Sequence, residues 1–322
     1  FQRLGVLGDW HDPYTTMAYD AEATIAGELG RILMDGSLYR GSKPVMWSPV
    51  EKTALAEAEI EYQDHVSPSI WVKFRVTDPA AHGLPENTFF VIWTTTPWTL
   101  PANLAVALHP ELQYTEIKHG DETYVVALPL AENFIAECAL EGAATGTIHK
   151  GSDFEKVVTQ HPFIDRPSPI VLADYVTTDA GTGCVHTAPG HGLEDYLSGL
   201  KYGLEIYCPL DDRGCYVDDG QVPAELVGIS VLEQNGKCPA NDAVLEIISG
   251  NGSLLQRKAY KHQYPHCWRS KTPVVFRAMD QWFVSLDKDN MRGDCLEGIG
   301  KVEWVPDWGE NRIRGAVETR PD

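Results

Sequence analysis

After Asp20 the apolar residues Ile25, Leu29, Ile32 and Leu33 return at helical spacing, and Gly36 closes the segment, so the pattern predicts an amphipathic helix with Asp20 as its N-cap. Over residues 54–62 the period changes to two. Glu57, Glu59 and Glu61 fall on one parity and Ala56, Ala58, Ile60 and Tyr62 on the other, which predicts a strand against the helical preference of Ala and Glu. Further strands are predicted at 70–76, 89–95, 124–128, 170–176 and 184–186, where β-branched and aromatic residues run between Pro and Gly. Helices are predicted at 130–140, where Leu130, Phe134, Ile135 and Cys138 share a face, at 193–202, where Leu193, Tyr196, Leu197 and Leu200 do, and near 242–248. These elements describe a compact β-rich domain with a few helices over 63–258. The flanks, 1–62 and 259–322, are expected to meet in space as the stem from which it projects.

The chain has 322 residues, 43% hydrophobic and 22% charged, which suits a globular protein of two domains or one domain with a large insertion. No apolar run approaches the ~18–20 residues of a membrane-spanning helix, and no secretory signal is legible, so a cytoplasmic location without membrane partners is expected. Both ends read as cuts through a longer protein. Seven cysteines without a Cys-x-x-Cys argue against a disulfide framework or a four-cysteine zinc site. A net charge of −20 opposes nucleic acid on average. Yet Ile247 to Phe276 holds no acidic residue, and there Arg257, Lys258, Lys261, Arg269 and Lys271 cluster with Tyr260, Tyr264 and Trp268. Two readings stay open for that stretch: a surface that meets the end of a tRNA, or a solvated face balancing acidic neighbours.

Two segments carry chemistry. In Trp93-Thr94-Thr95-Thr96-Pro97-Trp98-Thr99-Leu100-Pro101-Ala102-Asn103, strand alternation puts Thr94 and Thr96 on one face and Thr95 on the other. Pro97 should end the ladder there and leave backbone groups and hydroxyls free for a ligand. A threonine wall supplies hydroxyls for a ribose or ester, and methyls that limit an aliphatic side chain. The second segment, Gly183-Cys184-Val185-His186-Thr187-Ala188-Pro189-Gly190-His191-Gly192-Leu193-Glu194-Asp195, is a Gly/Pro loop that opens a helix. Asp195 falls in its first turn, where the macrodipole favours an ionised carboxylate that suits an ammonium group. His186, His191 and Asp195 can also be drawn as a metal site, but the histidines lack the i, i+4 helical spacing and a third ligand, so no metal is expected. No nucleophile elbow or Gly-rich phosphate loop is present. An aminoacyl ester needs neither, because a site that orients it, neutralises its ammonium and positions a water can hydrolyse it.

Taken together, the two segments resemble the editing pocket of isoleucyl-tRNA synthetases, and the resemblance extends along nearly the whole chain. Leu4-Gly5-Val6-Leu7-Gly8-Asp9-Trp10 with Pro13-Tyr14-Thr15-Thr16-Met17 looks like the segment after the first catalytic signature. Gly41-Ser42-Lys43-Pro44-Val45-Met46-Trp47 and Ala54-Leu55-Ala56-Glu57-Ala58-Glu59 look like the way into the editing insertion. Tyr264-Pro265-His266-Cys267-Trp268-Arg269-Ser270-Lys271-Thr272-Pro273 with Gln281-Trp282-Phe283 looks like the return. The fold implied is α+β, a barrel-like editing domain with peripheral helices inserted between pieces of a Rossmann-like α/β catalytic domain. By resemblance Thr94, Thr95, Thr96, His186 and Asp195 carry the hydrolysis, with Trp93, Asn103 and His191 also binding substrate. Asp195 would take the α-ammonium and His186 would exclude the isoleucyl group. The partner implied is the acceptor end of tRNA(Ile) carrying a mischarged valyl group, met by a monomer.

Such a site answers a packing limit: one methylene is worth only about 1–3 kcal/mol, and isoleucine against valine in this very family is the standard illustration. The His-x-Gly-His and Lys-Met-Ser-Lys-Ser signatures are absent, so aminoacylation is not expected of this chain. No cofactor is implied for editing. ATP, and in some relatives zinc, belongs to the longer enzyme; the positions of the zinc cysteines hold Ser48, Glu51, Cys267 and Ser270 here, one thiolate of four. The alternatives are a valine-type editing domain, a non-catalytic tRNA-binding piece, and a metal-dependent hydrolase.

Overall fold

The computed structural model describes residues 1–319 and divides the chain into two compact units, Ser42–Met279 and a second built from Phe1–Gly41 with the segment from Asp280 onward. In the second unit the helix expected after Asp20 forms over Tyr19–Met34, with Ala18 rather than Asp20 at its N-cap. Its apolar stripe faces outward, with Ile25, Leu29 and Leu33 all exposed. Helices Met291–Ile299 and Trp308–Glu318 complete that unit.

The larger unit is organised by a ten-stranded mixed sheet: β1 (Ile60–Val76), β2 (Thr88–Thr94), β3 (Ala105–Leu108), β4 (Gln113–His119), β5 (Glu122–Ala127), β6 (Ala144–Lys150), β7 (Val158–Gln160), β8 (Pro167–Leu172), β9 (Cys184–Thr187) and β10 (Leu254–Cys267). The spatial order is β9-β3-β8-β7-β1-β2-β5-β4-β6, with β10 also on β1. β3 with β8 and β2 with β5 are parallel, and the other pairs are antiparallel. Among the described residues no ladder joins β9 to β6. The β-rich α+β character is as expected, but in place of a closed barrel the sheet curls and stays open. The curl is held where the Ala127 N–H at the end of β5 donates to Thr182 O at 2.8 Å, just before β9. Gly183 permits this approach, since with φ +71° and its Cβ position 2.4 Å from the Ala127 methyl no side chain fits there.

Alternation along the central strands feeds two cores, one on each face of the sheet. Ile70, Val72, Phe74, Phe90 and Ile92 point to one, and Trp71, Val91, Tyr124 and Val126 to the other. Helix α1 (Ala131–Glu137) seals the second with Phe134, while α3 (Pro239–Gly250) packs Val244 and Ile248 into the first; α2 (Leu193–Tyr202) lies between them in sequence. Each such side chain contributes about 1.5–3 kcal/mol on burial.

Two expectations from sequence are corrected. Residues 54–62 are not one strand, because Glu57–Glu59 forms a 3-10 turn whose Glu59 carboxylate accepts the Ala56 N–H at 3.0 Å, and β1 starts only at Ile60. Local capping by a carboxylate outweighs the period-two pattern. The domain boundaries expected at 62/63 and 258/259 fall inside β1 and β10, which pair from Ile60 with Cys267 to Val72 with Leu254. A cut there would sever a continuous two-stranded ribbon, and the compact unit extends past it on both sides.

Candidate active site

β2 ends at Thr94, and Pro97 opens a 3-10 turn, Pro97–Ala102, all of it buried. The freed backbone groups are not left for a ligand, as the sequence suggested. Thr96 N–H donates to Thr94 Oγ1 at 3.1 Å and Trp98 N–H to Asn241 Oδ1 at 3.0 Å. Side chains from distant loops pin the turn further: the Tyr216 hydroxyl donates to Trp98 O, His161 Nε2 to Leu100 O at 2.8 Å, and Arg166 Nη1 to Pro101 O at 3.0 Å. Burial holds the His161 imidazole down to about 3, so it is neutral in that role.

This anchoring fixes a chain of hydroxyls. Thr94 Oγ1 and Thr96 Oγ1 lie 3.2 Å apart, so the two share a face as alternation required. Thr96 Oγ1 lies 3.4 Å from Thr99 Oγ1, and Thr99 Oγ1 lies 2.9 Å from His186 Nε2. Because the Thr99 hydroxyl donates to Thr96 O at 2.8 Å, the ring nitrogen must be the donor toward Thr99. Burial, and next the neighbouring His191, hold the His186 imidazole down to about 4, hence neutral near pH 7. Its Nδ1 is then a buried acceptor with no partner.

Trp93, Thr94 and Thr95 form one wall of a cleft of about 330 Å³ whose opposite side runs from Tyr175 to Val185. Behind that side stands Asp195. Its Oδ1 accepts from the Tyr175 hydroxyl at 3.3 Å and its Oδ2 from the Ala188 N–H at 2.9 Å. Burial pushes the carboxyl up to about 6 even though those two donors favour the charged form. Each oxygen keeps a lone pair in reserve, so the carboxylate can still meet an ammonium group. Asp195 does not itself line the cleft and is linked to it through the Tyr175 hydroxyl.

Of the expected site residues Trp93, Thr94 and Thr95 line it, whereas Thr96, Asn103, His186, His191 and Asp195 do not. For Asn103 and His191 this corrects their expected part in binding. Asn103 is wholly buried, donating through Nδ2 to Ala105 O at 2.7 Å and accepting from Ser168 Oγ at 2.7 Å, so its amide is consumed in joining β3 to β8. His191 faces the other way, with Nδ1 2.8 Å from Phe276 O and its ring edge-on to Trp98 at 5.1 Å. Burial opposes its charge, but Cys208 carries the imidazole above its usual value, and the pairing in turn brings the half-buried thiol down to about 7 against its own desolvation. His186 reaches the cleft only indirectly, through Thr99 and Thr96 to Thr94. Sequence reasoning missed Thr99 and Tyr175. Thr99 follows Thr96 by one 3-10 turn, a signal hidden by treating Pro97 as the end of structure, and Tyr175 sat inside a strand expected to run to Val176 that stops at Leu172.

The Pro189-Gly190-His191 bend holds the loop against the body of the unit. A Cβ on Gly190 would fall 2.1 Å from Tyr207 O, a backbone atom that cannot swing aside. Gly190→Ala is therefore expected to lose about 1–3 kcal/mol or more of stability, read by denaturant unfolding, and an unchanged midpoint would refute the tight approach.

The basic stretch resolves toward charge balance. Lys258 pairs with Glu137 at 2.6 Å, Lys261 with Asp64 at 2.5 Å, Arg269 with Glu59 at 3.2 Å, Lys271 with Glu61 at 2.7 Å and Arg257 with Asp242 at 3.8 Å. Among the described residues no cluster of three or more His, Cys, Asp or Glu could hold a metal ion, and no helix is long and apolar enough to cross a membrane.

A cleft walled by threonines on a β-rich insertion, with a half-buried carboxylate behind its far side, goes with a match over residues 1–322 to the family model for tRNA synthetases class I (I, L, M and V), and the chain belongs to that family. Within it the chain is similar to isoleucine–tRNA ligases. It is 48% identical over 328 residues to that of Desulfotalea psychrophila and 50% identical over 322 residues to that of Fervidobacterium nodosum, covering 100% of this chain and 34% of each relative. The chain therefore spans about a third of the length of these relatives. Among solved structures, GlLeuRS-CP1 matches 59% of this chain and 99% of its own with TM-score 0.44 and 14% identity. The editing domain of the P. knowlesi cytosolic leucyl-tRNA synthetase matches 62% and 97%, with TM-score 0.42 and 11% identity.

Proposed function

We propose that this chain performs the hydrolytic editing of an isoleucine–tRNA ligase, removing a valyl group from the acceptor end of tRNA(Ile). The observation that carries the reading is the cleft with Thr94 and Thr95 on one side and, on the other, Tyr175, whose hydroxyl bonds Asp195 behind it. The aminoacyl ester enters with its ammonium toward Asp195 and its ester toward the threonine hydroxyls. Water attacks the carbonyl, the ribose oxygen leaves and takes a proton, and free valine departs. The protein supplies orientation and electrostatic complement rather than a nucleophile. On the same reading the chain acts as a monomer in the cytoplasm and hydrolysis needs no cofactor, ATP and any zinc serving only the longer ligase.

Incubation of the chain with valyl- and isoleucyl-tRNA(Ile) tests this. Valyl-tRNA should be deacylated and isoleucyl-tRNA spared, with the rate unaffected by a chelator. Equal hydrolysis of both, or of neither, overturns the reading, and loss of activity with chelator transfers it to a metal-dependent hydrolase.

A further inference from the structure

Apart from the cleft, one thiol stands out by its surroundings. Cys208 is half-buried, and its sulfur meets the His191 imidazole and the backbone N–H groups of Leu210 and Ala278. His191 is turned for that contact. Its Nδ1 must donate to the Phe276 carbonyl at 2.8 Å, which leaves Nε2 for the sulfur, and Trp98 holds the ring edge-on at 5.1 Å. An imidazole and two amides around one sulfur favour its thiolate. Burial alone would raise the thiol, yet these neighbours bring it down to about 7. Burial pushes Cys138 and Cys238 up to about 12 and raises Cys184 and Cys215, while Cys267 is lowered but buried.

Packing joins this thiol to the candidate active site. A Cβ at Gly190 would fall 2.9 Å from Cys208 Cβ as well as 2.1 Å from Tyr207 O, so the Pro189-Gly190-His191 bend lies on residues 207 and 208 without a gap. The Gly190 carbonyl accepts the Ala278 N–H at 2.7 Å, and the His191 N–H donates to Ala188 O at 2.8 Å. Ala188 in turn donates its own N–H to Asp195 Oδ2 at 2.9 Å. His191 thus stands between the sulfur and the residue that holds the carboxylate.

We infer that Cys208 is a modification site, a peroxide-reactive thiol whose oxidation to sulfenic acid displaces the 189–191 bend and stops hydrolysis in the cleft. The effect on hydrolysis rests on the reading of that cleft given above. The thiolate attacks one oxygen of hydrogen peroxide, and the S–O bond forms as the O–O bond breaks. Sulfur gives up two electrons, and the hydroxide that leaves takes the His191 Nε2 proton and departs as water. What remains is a larger polar group beside a neutral imidazole. The added oxygen has no room against Gly190, and loss of the imidazolium removes a neighbour that favours ionised Asp195. A thiol reductant reverses the change, since sulfenic acid condenses with one thiol to a disulfide that a second thiol cleaves.

The test exposes the full chain to dilute hydrogen peroxide near pH 7, traps sulfenic acid with dimedone and locates it by peptide mass spectrometry. Cys208→Ser and Cys208→Ala are both made, so that one misfolded replacement still leaves a control. Cys208 should be labelled ahead of the exposed Cys295. Hydrolysis of valyl-tRNA(Ile) should fall at least about tenfold in step with the label, dithiothreitol should restore it, and the Cys208 variants should hydrolyse with or without peroxide. His191→Gln should slow labelling about tenfold, the difference between a half-ionised thiol and an ordinary cysteine at that pH. Labelling of Cys295 first, labelling undiminished in His191→Gln, full hydrolysis by chain labelled at Cys208, or equal peroxide sensitivity in the Cys208 variants would overturn the proposal. The urea midpoint, which oxidation should lower in the native chain and not in the variants, separates the two readings. A chain labelled at Cys208 and destabilised by the label, yet unable to hydrolyse valyl-tRNA even when reduced, keeps the thiol site and sinks the hydrolytic reading.

Discussion

Asp195→Asn is expected to abolish deacylation of valyl-tRNA(Ile) while making the folded chain more stable at neutral pH. Both effects come from one half-buried carboxyl, pushed up to about 6 chiefly by desolvation. A carboxyl whose folded value lies above its unfolded value binds protons more tightly when folded, so stability declines as pH rises through the interval from about 4 to about 6. Above that interval the cost is complete, and up to about 3 kcal/mol is recovered when the charge is removed. Asn preserves the local geometry, since its carbonyl oxygen can accept the Ala188 N–H and its amide can face the Tyr175 oxygen. It cannot neutralise an ammonium group, and that loss should lower kcat/KM by at least about a hundredfold. The native chain should show an acid limb in its pH–rate profile near pH 6. Urea unfolding at pH 4.5 and 7.5 reads the stability arm: the advantage of the variant should be larger at 7.5. Equal advantages at both would show that the carboxylate is not buried at a cost, and undiminished turnover would remove it from catalysis.

The coupling of lost function to gained stability suits a site whose polar groups are set up for a ligand rather than for each other. His186 Nδ1 tells the same story, a buried acceptor without a partner beside a hydroxyl chain that is otherwise satisfied. The surroundings are rigid by contrast. Four distant side chains, Asn241, Tyr216, His161 and Arg166, hold the Pro97–Ala102 turn through its backbone, so the threonines keep their positions with or without substrate.

How far this was legible in the sequence depended on which forces a local pattern records. Helix α2 could be read to the residue because its apolar spacing and the αL glycine after it, Gly203, agree. Asp195 was legible for the same reason, a carboxylate in a first turn. β3 left no trace because all four of its residues are buried between β8 and β9, which erases the alternation a half-exposed strand shows. The burial of Asn103 and the outward turn of His191 were equally hidden, since both are decided by partners more than sixty residues away, Ser168 and Phe276. The charge balance of the stretch from Arg257 to Lys271 was hidden in a different way: its carboxylate partners lie mostly on β1 and α1, so a segment free of acid in sequence is paired in space.

His186→Ala is expected to let isoleucyl-tRNA into hydrolysis while valyl-tRNA hydrolysis persists. The imidazole backs the threonine wall through Thr99, at 2.9 Å, and is buried there. Removing it opens room about the size of the ring and releases the Thr99 hydroxyl to follow, which loosens the packing behind Thr94 through Thr96. The discrimination at stake is one methylene, about 1–3 kcal/mol, so the ratio of kcat/KM for the valyl and isoleucyl esters should fall by about tenfold to a hundredfold. Thr99→Val separates size from hydrogen bonding, because it keeps the volume of the wall and removes the link to His186. Were Thr99→Val to relax selectivity as far as His186→Ala, the wall would act by rigidity rather than by bulk. Were the cognate ester still spared in His186→Ala, the ring would play no part in exclusion, and the size limit would reside in the threonine methyls alone.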